Sequence, residues 1–193
     1  MNPATPAHSA DPATPATPGG DTADVTGEMK DDRVEVPFTG DERTLLTAFL
    51  DYLRGTIGFK CAGLSEEQAR RAVLPSQLNT AAGVVKHLRW VENYWFRVVL
   101  CGQPSEAPYT QEDPDADWRV EPGETISGLL ADYASECAAS REVAAGLDLD
   151  HEVAFRGGRI SARWVLIHMI EETGRHAGHL DVVRELLDGA TGE

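Results

Sequence analysis

Polar side chains break an apolar stripe near the C-terminus. Residues Ser161 to Asp188 read SARWVLIHMIEETGRHAGHLDVVRELLD. Val165, Met169, Leu180, Val183 and Leu187 recur there at the spacing of one helical face. Glu172 and His176 lie four residues apart between Met169 and Leu180. His168 stands one turn before Glu172, and His179 one turn past His176. Unpaired charge on a face turned to a core is costly. A buried polar network would relieve that cost, and so would a metal ion, for which imidazole and carboxylate are ordinary ligands. A further imidazole lies upstream: His87 falls inside the stripe Val84, Val91, Tyr94 and Val98. Alone, it is the kind of histidine that a core satisfies with a carbonyl.

The elements that must position these groups are helices. Ser161 is the expected N-cap of the last one and Gly189 its C′ residue. Thr39-Gly-Asp-Glu42 fits a capping box for a first helix running to about Lys60 and closed by Gly63. Leu45, Leu46, Phe49, Leu50, Leu53 and Ile57 should face inward on it. Ser65-Glu-Glu-Gln68 opens a short helix over 65–71. The His87 helix runs from Asn79 or Thr80 to Leu100, and another spans about 125–145 with Leu129, Leu130, Tyr133 and Cys137 on its core face. Between them, residues 102–124 are rich in proline and acid. Glu112, Asp113, Asp115 and Asp117 lack calcium-loop spacing, so a solvated loop is expected, long enough to cover part of a site. Arg156-Gly-Gly-Arg159 marks a hairpin before the last helix. Four main helices with one long crossover predict an all-α, antiparallel four-helix bundle, which brings His87 towards Glu172 and His176.

Composition narrows the function. The chain has 193 residues and a net charge of −15, with no basic cluster, which argues against a nucleic-acid partner. No apolar run is long enough to span a membrane, and no secretory signal opens the sequence, so a cytoplasmic protein is expected. Cys61, Cys101 and Cys137 form no framework and read as buried, reduced thiols. Residues 1–33 are dominated by Ala, Pro and Thr and read as a disordered tail; residues 34–193 form the folded domain.

Four blocks carry a resemblance. They are PFTGDERTLL at 37–46, KCAGLSEEQARR at 60–71, VKHLRWVENYWFR at 85–97, and RWVLIHMIEETGRHAGHLDVVRELLDGATG at 163–192. In these the chain resembles the DinB-like superfamily, and within it the mycothiol-transferase branch, kin to mycothiol-dependent maleylpyruvate isomerase. The resemblance implies a metal triad of one histidine on the second long helix and a Glu-x-x-x-His pair on the fourth. Carried over by motif, these are His87, Glu172 and His176. His168 and His179 fall outside the triad and would orient ligands or substrate. The implied cofactor is a divalent metal, zinc before nickel or iron, and mycothiol is the thiol co-substrate. The implied reaction joins that thiol to a small electrophile, for detoxification or isomerisation. The resemblance leaves room for a homodimer. Two readings compete: a non-catalytic bundle that binds a metal or ligand, and a metal-dependent hydrolase. In the latter Glu172 would be the natural base, a role that its service as a ligand excludes.

Overall fold

The computed structural model describes residues 33–191. The expected tail therefore lies outside the described residues, except for Arg33. Arg33 packs on the first helix, donating to Thr56 Oγ1 at 3.0 Å with its guanidinium over the Tyr52 and Phe59 rings.

The described chain is mostly helical. Its elements in order are α1 (Glu42–Cys61), α2 (Glu66–Arg70), α3 (Ala81–Glu92), a π-helical extension of α3 (Asn93–Leu100), α4 (Ile126–Gly146), β1 (Glu152–Phe155), β2 (Gly158–Ser161) and α5 (Ala162–Asp188). α1 packs chiefly on α5, and α3 on α4. Among the described residues no helix is long and apolar enough to cross a membrane.

Local chemistry accounts for most boundaries. Ser161 accepts from the Trp164 amide, Thr80 from Gly83 and Thr125 from Gly128, each satisfying an orphan N–H at a helix start. Ser65 and Gln68 complete a reciprocal capping box. Gly189 ends α5 with φ 77°, a left-handed residue. The hairpin pairs Val153 with Ile160, and its two turn residues, Arg156 and Gly157, both have positive φ, the conformation that a tight two-residue turn demands.

Four expectations are corrected. α1 is capped by Asp41, whose carboxylate accepts from the Thr44 amide, and not by Thr39; two residues closer to the helix, it reaches the right amide. Phe49 is half exposed, because α1 buries the narrower face of Leu50, Arg54, Ile57 and Cys61. The α3 helix widens at Asn93. Its i→i+5 bonding adds a residue per turn, so the 3.6-residue stripe drifts and Trp95, Phe96 and Leu100 are buried where Val98 was expected. Cys101 follows that segment and is exposed, whereas Cys61 and Cys137 are buried.

The core forms two clusters. One centres on Ile57, Val84, Leu88, Leu129, Leu180 and Val183. The other centres on Leu50, Phe96, Val165 and Met169. A buried ion pair joins α1 to α3: Arg54 donates from Nε and Nη2 to the two oxygens of Glu92, each at 2.7 Å.

Candidate metal centre

His87 and the Glu172/His176 pair meet where α3 faces α5. One imidazole nitrogen from each histidine and one carboxylate oxygen all lie within 4.8 Å of one another. Glu172 Oε1 stands 3.2 Å from His176 Nε2 and 3.5 Å from His87 Nε2. One carboxylate oxygen is thus shared by two imidazoles. The two hydrogen bonds, that with His176 foremost, hold the Glu172 carboxyl well below the usual carboxylate range.

The loop between the π segment and α4 completes the arrangement. It is not wholly solvated, and in this the sequence expectation is corrected. Asp117 is buried, with Oδ2 2.7 Å from His87 Nδ1. The neighbouring Trp118 stacks on the His87 ring, centroids 4.0 Å apart and planes 15° apart, and also meets His176. The carboxylate accepts, so the Nδ1 proton points at Asp117 and Nε2 turns to Glu172. A lone pair there would face an oxygen. A second proton on the ring would relieve that contact. Burial works against this charge, but the hydrogen bonds to Asp117 and Glu172 outweigh it and raise the His87 pKa.

Side chains of α2 and α3 tie the loop down. Lys86 donates to the Arg119 carbonyl at 2.7 Å and pairs with Glu124 at 2.8 Å. Arg70 donates to the Val120 carbonyl at 3.1 Å. Gly83 lets the loop cross α3 closely: a Cβ there would lie 2.5 Å from the Leu78 carbonyl and 3.0 Å from that of Trp118.

The two remaining histidines part company. His179 stays with the triad, its Nδ1 3.4 Å from His176 Nδ1, and burial beside His176 lowers its pKa. His168 stacks on Trp164 and stands edge-on to Trp95, with Glu171 4.0 Å from its Nδ1. It is not among the converging groups.

The mycothiol-S-transferase family model matches residues 45–189, a span that contains His87, Asp117, Glu172 and His176. The chain belongs to the mycothiol-S-transferase family. No curated protein matches it. Membership gives the coarse function, transferase chemistry related to mycothiol, and with it a small-molecule thiol as substrate. For such a transferase the two buried thiols of the chain offer little. Burial pushes Cys61 and Cys137 up to about 12, so both stay protonated, and neither is among the converging groups.

Asp117 is the residue that sequence reasoning missed. It sits in an acidic run that composition assigns to solvent. The available signal was Trp118 beside it: a tryptophan in an otherwise polar loop marks the point where that loop dips towards the core.

Proposed function

We propose that His87, Glu172 and His176 bind one divalent metal ion, zinc before nickel or iron, and that the protein transfers mycothiol, or a similar small thiol, to an electrophile. The observation that carries this reading is a convergence: two imidazole nitrogens and one carboxylate oxygen from facing helices lie within 4.8 Å of one another. The donor set suits zinc or iron in an open site, since three protein ligands leave a position for a small molecule. The pairing of α1 with α5 and α3 with α4 supports an antiparallel four-helix bundle, the scaffold that builds such sites from facing helices.

A divalent ion bound there would supply the charge that keeps a thiol as its thiolate near neutral pH. The chain does the rest by position. Asp117 fixes which His87 nitrogen faces the site. Trp118 covers the His87 ring and shields the site from water. His87 also lines a cavity, so a molecule in that cavity lies beside the triad, where proximity replaces a bimolecular encounter. Reduced thiols and a thiol substrate suit a cytoplasmic protein.

The test starts with elemental analysis of the purified full chain, which should find one bound metal ion per chain. Incubated with mycothiol and a bimane or an epoxide, the protein should form conjugate with saturation in the thiol. Chelation and Glu172→Ala should each abolish it. Conjugation no faster than background at full metal occupancy would overturn the transferase reading.

A further inference from the structure

A cavity of about 240 Å³ adjoins the triad, between the α3 face and the 102–124 loop. Its walls are aromatic. Trp95 and Trp118 supply indoles, and Tyr94 and Tyr109 supply phenols. Val91 and Pro114 add apolar surface. No lysine or arginine lines it, and the acid–base groups of its walls, besides the two phenols, are His87 and Asp117. Asp117 spends Oδ2 on His87, while its Oδ1 is buried without a partner.

Three physical consequences follow. The volume lies below the roughly 300–1,000 Å³ of sites for drug-sized ligands, so the cavity holds one small reactant and not the thiol as well. Indole and phenol faces favour a flat, conjugated body. The charges at the cavity disfavour anions: Asp117 stands in its wall, whereas Glu172, with Arg175 on its outer oxygen, lies outside the lining, and a thiolate would add a further negative charge. A carboxylate-bearing molecule would find no lysine or arginine on these walls and would share them with the Asp117 carboxylate.

We infer that this cavity is the electrophile site and that it selects small, uncharged, planar conjugated carbonyl compounds over anionic ones. The inference rests on the proposed transferase reading and names the substrate class of the same site. The reaction is an addition. The thiolate sulfur forms a bond to the β-carbon, the C=C electron pair moves towards the carbonyl oxygen, and a proton is taken up at the α-carbon. The thiol gives one proton and the product keeps one. Nothing leaves, and no external oxidant or reductant is needed.

The test uses the full chain with Cys101→Ser, which removes the exposed thiol that would react with the probe. Cinnamaldehyde is the neutral probe and its para-carboxylate the anionic one. Binding without thiol is read by calorimetry, and conjugation to mycothiol by product formation. The aldehyde should bind at least about tenfold more tightly than the carboxylate. Val91→Phe, which fills the cavity, and Tyr109→Ala, which opens its loop wall, should each raise the KM for cinnamaldehyde about tenfold or more and leave metal content and the KM for thiol unchanged. Equal binding of the two probes would overturn the charge selection. An unchanged cinnamaldehyde KM in both variants, with thiol still conjugated, would overturn the cavity assignment while the transferase reading stands. Selective binding of the aldehyde with no conjugation would do the reverse, sustaining the cavity and sinking the transferase.

Discussion

Glu92 on α3 and Glu172 on α5 are both carboxylates at helix–helix contacts, and their surroundings differ in one respect. Glu92 is fully buried and meets a guanidinium that grips both its oxygens. Arg54 is positively charged at all working pH values, so this charge is balanced within the fold. Glu172 meets two imidazoles and, on its outer oxygen, the exposed Arg175 at 3.4 Å. Imidazoles hold their charge only on condition. They can shed protons and present lone pairs, which a guanidinium cannot do. A buried carboxylate matched by a fixed cation holds helices together. A carboxylate matched by two imidazoles has partners that can also serve as ligands, the basis of the metal site proposed above.

The sharpest way to break this contrast is to delete each carboxylate in turn. Glu92→Ala leaves the buried Arg54 guanidinium with the partly exposed Asp51 carboxylate, 2.9 Å from Nη1, as its remaining partner, and should destabilise the chain by about 3 kcal/mol. That loss corresponds to a fall in thermal midpoint of roughly 10 °C for a domain of this size. Glu172→Ala in the metal-free chain should cost clearly less, about 1–2 kcal/mol, because Glu172 is partly exposed and His87 keeps its bond to Asp117. Thermal melts of both variants under chelator decide it. Equal destabilisation would mean that the triad is a structural network like the Arg54 pair.

Asp117→Ala sharpens the same contrast from the loop side. The triad keeps its three groups, but His87 loses the acceptor that fixes its orientation. Zinc affinity, measured by competition with a chromogenic chelator, should fall about 10–100-fold with the helical content unchanged. Undiminished affinity would show that packing against Trp118 alone orients the ring.

Cys61 and Cys137 provide a third environment, acids buried with no need of a charged partner because they stay neutral. Cys61 and Cys137, both pushed up to about 12 by burial, should resist a disulfide reagent at pH 8, whereas exposed Cys101 should react at once. The native chain should therefore titrate one fast thiol, and the denatured chain all three. Rapid reaction of two or three native thiols would show that the core around Cys61 or Cys137 opens readily.

Much of this was legible in the chain itself. Short-range chemistry marked the helix ends: Ser161 with Gly189, Ser65 with Gln68, and the glycine turn after Arg156 each act within a few residues. The Glu172–His176 spacing likewise placed two groups on one turn, since helical geometry is local. Periodicity failed where the local rule changed, at the π-helical step after Glu92, because extrapolating 3.6 residues per turn cannot register an added residue.

What only the tertiary structure decided was which charges meet. Arg54 and Glu92 are 38 residues apart, and His87 and Asp117 are 30 apart. Nothing within a turn of either partner announces the other. Composition put Asp117 in solvent with its acidic neighbours, and the ties of Lys86, Arg70 and Gly83 draw it down onto His87. A carboxylate's role depends on the partner that desolvation forces on it, and that partner is chosen by packing between distant segments, which the local sequence does not encode.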